Sequence, residues 1–222
     1  MGRNHSRLGI WVLALITSLF VVGGNAAYAD DFPRVHAAGE FFHNDFTAMP
    51  PITNQRVHFG IEGKCKAPAA PDGSFTCAPN GISPATGSPF AGGFFVAPRS
   101  GPAPDGNFEY ENRATGLHVH GKLTDIQFEP QPSTSCMAIA SSFGVDLSGR
   151  PAALVQGSCK DGSCTQFQME VVDGDDWAPN KGDWVCNVTV QGQNKMHMQS
   201  TDSDGAEQLS KGDVEVRTTK EH

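Results

Sequence analysis

The stretch 106-GNFEYENRATGLHVHGKLTDIQF-128 decides the fold, because it has the pattern of a β-hairpin. Apolar and polar residues alternate on both sides of the turn-forming stretch 112–116. This period of two predicts two antiparallel strands joined by a short turn. The same alternation places His118 and His120 together, on the strand face opposite Leu117.

The alternation changes phase near the end of the second strand. Leu123 belongs to the first phase, whereas Ile126 and Phe128 follow the other one. A shift by one residue is typical of a β-bulge, which we expect near Thr124 and Asp125. The strand should therefore bend at this point.

Short segments with the same β pattern recur along the chain. Apolar and polar residues alternate in residues 56–62 and 165–172, and residues 184–190 place their apolar side chains on one face. Glycine- and proline-rich turns separate these segments, and no segment has a convincing helical period. Further strand candidates are residues 94–97, 136–143, 152–156, 195–200 and 213–218. About ten short strands predict an all-β fold, an antiparallel β-sandwich or a jelly-roll-like barrel.

The first 29 residues have the pattern of a cleaved, Sec-type signal peptide. Arg3 and Arg7 precede an apolar run at residues 10–22, and small residues at 27–29 form a cleavage site. A retained membrane anchor is the alternative, but a span needs about 20 apolar residues. The remaining 193 residues suit one sizeable domain. We expect an irregular N-terminal extension at residues 30–55, a single β domain at 56–219 and a C-terminal tail at 220–222.

The charge of the mature chain restricts its partners. After cleavage it would carry 14 basic and 24 acidic residues, a net charge of −10 with neutral histidines. Such a surface repels phosphate backbones and anionic lipids. We therefore expect no nucleic-acid partner and no membrane insertion after signal cleavage. The expected location is the periplasm or the extracellular medium, with a cell-surface or extracellular component as partner.

All six cysteines follow the expected cleavage site. An even number in an exported chain predicts disulfides, and the lack of a Cys-x-x-Cys pair argues against a redox motif or a zinc ribbon. Local spacing favours Cys65–Cys77 across a Pro- and Gly-rich loop and Cys159–Cys164 across a short turn, which leaves Cys136–Cys186. An exchange of partners between the last two pairs is the alternative.

Four motifs follow one another in a characteristic order. They are the strand 108–110, the Thr-Gly-Leu-His-Val-His-Gly stretch at 115–121, the acidic turn at 172–183 and the strand 212–216. In this order the chain resembles the post-COAP domain family of secreted bacterial proteins over residues 56–218. The resemblance implies an extracellular β domain without an established reaction. The chain departs from the family in the centre of the acidic turn and in its additional cysteine-containing loops.

His118 and His120 are candidate ligands of a transition metal. Residues two apart on one strand face lie about 7 Å from each other. Two imidazoles at this spacing can share an ion if a neighbouring strand supplies a third ligand. His58 is the candidate for that ligand, with His197 as a second choice. The alternative is a polar outer face of the sheet.

The acidic turn is a candidate calcium site. It contains five side chains with oxygen ligands, namely Asp173, Asp175, Asp176, Asn180 and Asp183. Ca²⁺ takes about six to eight oxygen ligands, and an acidic loop broken by glycine can wrap around it, although this turn lacks the EF-hand pattern. The alternative is a solvated turn whose aspartates bind their own backbone. No cofactor is expected to be required, and Ca²⁺ is the ion considered for this turn.

Catalysis has little support, and we assign no catalytic residue. The chain has no Gly-x-Ser-x-Gly elbow, no His-Glu-x-x-His motif and no phosphate-binding glycine loop. Glu109 and Glu111 share a strand face, as a glycosidase pair would, but glutamates on a hairpin are usually solvated. The sequence favours an exported, non-enzymatic module with a binding or structural role. A divalent-metal-binding protein is the alternative, and a hydrolase is third.

Overall fold

The computed structural model describes residues 32–45, 52–67, 75–77, 101–160, 162–174, 182–193, 195 and 199–218, all within one unit that spans Asp31–His222. This part of the chain forms ten strands and one helix. The elements are β1 (Arg34–Asp45), β2 (Ile52–Lys64), β3 (Phe75–Cys77), β4 (Asp105–Asn112), β5 (Leu117–Glu129), α1 (Thr134–Ser142), β6 (Ala152–Cys159), β7 (Cys164–Val172), β8 (Trp184–Gln193), β9 (Gln199–Gln208) and β10 (Lys211–Arg217). The predicted all-β antiparallel fold is confirmed.

The strands belong to one antiparallel sheet with the order β10-β1-β2-β4-β5-β6-β7-β8-β9, and β3 pairs with β5. Strands β9 and β10 stand at opposite ends of this order, yet only Leu209 and Ser210 separate them in the chain. The sheet therefore curls until its two ends approach each other. At this junction the Ser210 amide donates to the Glu40 carbonyl on β1 over 2.9 Å.

The inner face of the curled sheet forms the main core. In the β4–β5 hairpin, Phe108 and Val119 are buried, whereas His118 and His120 face outward as predicted. The ring of Phe108 stacks on Phe167 of β7 with 3.8 Å between ring centroids. Residues from distant strands thus pack against each other inside the curled sheet.

The predicted bulge in β5 is present. The β5–β6 register shifts between Leu123 and Asp125. Beyond this point β5 pairs with β3 instead of β4, and Ile126 lies opposite Cys77. The bulge therefore marks the place where β5 changes its partner on one side.

The prediction of a strand at residues 136–143 is wrong, because Thr134–Ser142 forms helix α1. Ser133 caps its N-terminus by accepting the Cys136 amide over 3.2 Å. Gly144 follows the helix with a φ of 78°, the left-handed conformation that commonly ends helices. A short apolar run fits a strand or a buried helix equally well, so the two caps are the deciding signal.

Helix α1 covers part of the outer face of the sheet. Cys136 and Ala140 from the helix form a second apolar cluster with Trp184 and Cys186 of β8 and Ala206 of β9. This packing explains why β8 is buried on both faces, unlike the half-exposed strands β4 and β5.

The expected irregular extension at residues 30–55 is also corrected. Strand β1 occupies 12 of these residues, and β2 already begins at Ile52. Pro33 lies just before the first residue of β1. The prolines of this region exclude a long helix, but they do not prevent this strand from forming. Strand β9 lacks an apolar alternation over most of its length, which is why only its first residues fall within a predicted strand. The strand predicted at residues 94–97 lies outside the described residues.

The favoured disulfide pairing is confirmed. The bonds are Cys65–Cys77, Cys136–Cys186 and Cys159–Cys164. Among the described residues, no helix has the length and apolar character needed to cross a membrane. The predicted signal peptide and the tail at residues 220–222 fall outside the described part of the chain.

Candidate functional site

The outer face of β1, β2, β4 and β5 carries an open depression of about 570 Å³. Its floor is formed by Ala38 on β1 and Gly60 on β2, which lie opposite each other in the β1–β2 register. We call this depression the Gly60 groove. The side chains around it on the outer face are His36, Glu62, Asn107, Glu109, His118, His120 and Lys160.

Gly60 explains why the groove exists. A Cβ added at Gly60 would have no atom within 4 Å. By contrast, a Cβ at Gly106 or Gly121 would collide with a backbone carbonyl, so these two glycines are required for strand packing. Glycine within a strand costs about 0.5–1 kcal/mol relative to alanine. Because neither packing nor backbone conformation requires Gly60, its position fits a site that a ligand approaches closely.

Two rows of larger side chains border the floor of the groove. The first row, here the Glu40 row, contains Glu40, His58, Glu111 and His118 side by side across β1, β2, β4 and β5. The second, the His36 row, contains His36, Glu62, Asn107 and Lys122. Each row lies about 7 Å from the floor, because residues on one strand face repeat every second position. The groove therefore runs across the strands, between these two rows.

Ion pairs fix the β1–β2 end of the Glu40 row. His58 Nδ1 lies 3.2 Å from Glu40 Oε1, and Arg56 Nε donates to Glu40 Oε2 over 2.8 Å. Desolvation raises the pKa of Glu40, but the hydrogen bond and charge of Arg56, with the charges of His58 and Lys211, outweigh it and lower the pKa. Glu40 is thus held as a carboxylate that orients His58.

At the other end of the groove, the predicted histidine pair meets a carboxylate. His118 Nε2 lies 3.0 Å from Glu109 Oε1. The ring centroids of His118 and His120 are 5.9 Å apart, and Glu109 lies opposite His120 in the β4–β5 register. Glu109 on the neighbouring strand is therefore the acidic partner of the pair. The alternation of β4 places Glu109 on the same sheet face as the histidines, and the β4–β5 register brings it beside them.

The structure does not bring His58 to the histidine pair. Strand β4 separates β2 from β5, and Glu111 occupies the position between His58 and His118. His197 lies outside the described residues. Across the described ranges, no group of three or more His, Cys, Asp or Glu side chains is arranged to hold a metal ion.

The two glutamates of the hydrolase hypothesis each face a basic side chain. Glu109 contacts His118, whereas Glu111 lies 3.4 Å from Arg113 and 3.9 Å from Lys195. They share a strand face, as predicted. These three contacts are typical of a solvated, charged sheet surface.

Two of the five predicted calcium ligands are described, and both bind backbone amides. Asp183 accepts the amides of Gly174 and Val214 over 2.9 and 2.6 Å, one with each carboxylate oxygen. Asp173 accepts the Val216 amide over 3.0 Å. The bonds to Val214 and Val216 satisfy amides of β10, an end strand of the sheet order. Asp175, Asp176 and Asn180 lie outside the described residues, so calcium binding stays a prediction.

A buried polar cluster that sequence reasoning missed lies under α1. Glu170 on β7 is fully buried and accepts the backbone amide and the hydroxyl of Ser133, each over 2.7 Å. The side-chain amide of Asn187 also donates to Glu170. Burial raises the pKa of Glu170, and these hydrogen bonds offset it only in part. The cluster fastens the start of α1 to the sheet, and the sequence shows no sign of it because Ser133, Glu170 and Asn187 lie far apart in the chain.

Comparisons with known proteins leave the site to be interpreted from its own residues. No family model, no curated protein and no solved structure matches the chain. The resemblance to the post-COAP domain family therefore stays a hypothesis.

Proposed function

We propose that this chain is an exported, non-enzymatic binding module and that the Gly60 groove is its ligand site. The open position of Gly60 carries the proposal, since this glycine has no packing role and lies between two rows of polar side chains. Three disulfides are compatible with a periplasmic or extracellular location. The sequence resemblance to the post-COAP domain family agrees with such a module.

The chemistry of the groove favours recognition over catalysis. Its imidazole–carboxylate pair is solvated, with His118 46% and Glu109 65% exposed. Catalytic pairs gain strength from water exclusion, which an open groove does not provide. No serine, threonine or cysteine is found among the described residues that line it. A solvated groove of charged side chains is suited to binding a small polar molecule.

The substitution Gly60→Phe tests this proposal. A Cβ at this position meets no atom within 4 Å, so the added ring would project from the floor into the groove, and aromatic residues are favoured in strands. Ser158→Phe is the matched control, because it adds the same side chain at an exposed position of β6 outside the groove. The probes are tetraalanine, an N-acetylglucosamine trimer and citrate at millimolar concentration, observed by shifts of backbone amide resonances in NMR spectra.

At least one probe should shift the amides of β1, β2, β4 and β5 that surround the groove. Gly60→Phe should abolish these shifts, and Ser158→Phe should keep them. The proposal is wrong if no probe binds or if binding is the same in the wild type and in Gly60→Phe.

A further inference from the structure

In the described part of the chain, acidic and basic side chains without a partner lie near the two ends of the Gly60 groove. Glu62 on β2 lies at one end, beside His36. Lys160 and His120 lie at the other end, where the Lys160 amide donates to the His120 carbonyl over 3.3 Å. In the described residues, the side chains of Glu62, Lys160 and His120 have no hydrogen bond or ion pair. A ligand with charges at both ends would complement them.

Between Glu62 and Lys160, strand β4 supplies polar side chains to the groove. Glu109 faces His118 at 3.0 Å, and Asn107 is uncharged. Carboxylate, imidazole and amide groups at this place can accept and donate hydrogen bonds along a polar backbone. The floor at Ala38 and Gly60 leaves room for one chain with small side chains.

The sheet register sets the distance between the two charged ends. Strand β4 lies between β2 and β5, so Glu62 and His120 are two strand spacings apart across the sheet and two residues apart along the strands, which is about 12 Å in all. Lys160, next to the end of β6, is about one strand spacing further. An extended peptide advances about 3.3 Å per residue, so about three to four residues span this distance.

We infer that the ligand of the Gly60 groove is a short extended peptide with both termini free. Its amino group binds at Glu62, and its carboxylate binds at Lys160 and His120. This inference rests on the proposed function of the groove. An uncharged ligand would cover these ionisable side chains without pairing them, which is unfavourable.

The test uses tetraalanine in three forms: free at both ends, acetylated at the amino end, and amidated at the carboxyl end. Isothermal titration calorimetry on the full mature chain measures each affinity. Either cap should weaken binding to the wild type about tenfold or more, because each removes a charge-assisted hydrogen bond. The variants are Glu62→Gln and Lys160→Met. Lys66→Met is the control, since Lys66 is exposed just after β2, belongs to neither row and does not line the groove.

The caps and the substitutions should match in pairs. Acetylation should cease to matter in Glu62→Gln, and amidation should matter much less in Lys160→Met, where only His120 remains to bind the carboxylate. Lys66→Met should respond to both caps like the wild type. A change in overall folding would weaken all three peptides together and would not produce this pairing. Cap effects as large in Glu62→Gln and Lys160→Met as in the wild type would overturn the inference.

The outcomes also separate this inference from the proposed function. If tetraalanine fails to bind while another probe binds in a manner that Gly60→Phe abolishes, the peptide is the wrong ligand and the groove remains the site. If no binding depends on Gly60, both proposals fail.

Discussion

Asp125 is buried at the bulge of β5. The residue is 1% exposed, and neither carboxylate oxygen has a hydrogen-bond partner among the residues that the structure describes. Burial raises its pKa to about 7. On β3, the hydroxyl of Thr76 is also buried and has no hydrogen-bond partner within the same ranges. Near neutral pH the folded protein therefore holds part of its Asp125 as the uncharged acid.

This burial should make stability depend on pH. As pH rises, Asp125 loses its proton first in the unfolded chain, where its pKa is 3.8, and only near pH 7 in the folded one. Its contribution to the free energy of unfolding should therefore fall between about pH 4 and pH 7, by at most about 4 kcal/mol. In Asp125→Asn this decrease should be absent, so the variant should gain stability over the wild type across this window.

Urea unfolding at a series of pH values measures the difference between wild type and variant. Asp105→Asn, at an exposed position of β4, is the control and should follow the wild type. If the free energy of unfolding changes with pH in the same way in the wild type and in Asp125→Asn, burial of Asp125 is not the cause of the pH dependence.

Asp183 should stabilise the fold without a metal ion. Asp183→Ala removes the acceptors of two backbone amides, and leaving buried donors unpaired costs about 1–3 kcal/mol each. Urea unfolding should show this loss equally with and without EDTA, and Asp213→Ala on the exposed part of β10 should have little effect. If EDTA lowers the free energy of unfolding of the wild type to that of Asp183→Ala, the carboxylate acts through calcium.

Helix α1 is the element whose attachment depends most on a few polar atoms. The Ser133 hydroxyl caps the helix by accepting the Cys136 amide and donates to Glu170 on β7. The side-chain amide of Asn187 on β8 donates both to the Ser133 hydroxyl and to Glu170. One serine therefore links the start of the helix to two strands.

Ser133→Ala should destabilise the protein by about 2–3 kcal/mol, since it removes an N-cap and a hydrogen bond to a buried carboxyl group. Urea unfolding measures the total loss, and amide hydrogen exchange shows whether α1 opens first. Ser142→Ala, near the exposed end of the same helix, is the control. Equal losses in the two variants would argue against the special role of Ser133.

Local signals were sufficient for some elements and not for others. The β4–β5 hairpin, its outward histidines and the bulge follow from alternation and turn residues, which are properties of neighbouring positions. Helix α1 depends on the caps at Ser133 and Gly144, which a search for periodicity overlooks. The Gly60 groove requires the register of four strands, and a single sequence does not specify how distant strands align.

At the scale of the whole molecule, one curled sheet has two different outer surfaces. Helix α1 covers the face of β8 and β9, whereas the face of β1, β2, β4 and β5 carries the open groove. Disulfides reinforce this arrangement over very different lengths of chain. Cys136–Cys186 spans 50 residues and holds α1 on the sheet, whereas Cys159–Cys164 spans only 5.

Removal of these two disulfides should have unequal effects. Loop-closure entropy predicts a loss of about 4 kcal/mol for the long loop and about 2 kcal/mol for the short one. Thermal and urea unfolding of Cys136→Ala/Cys186→Ala and Cys159→Ala/Cys164→Ala would measure the two losses. A larger loss for the short loop would show that local strand geometry outweighs chain entropy here.

Strand β1 pairs with β10 along one of its edges, so the first strand of the sheet needs the last strand in the chain order as a partner. Arg34 pairs with Arg217, and Glu40 pairs with Lys211. As the chain is synthesised, β2 reaches β1 early, but the other edge of β1 keeps unpaired amides and carbonyls until the final strand arrives. Such an edge is a template for pairing with another chain. A chain shortened by its last dozen residues would therefore expose its first strand and tend to associate with its own copies.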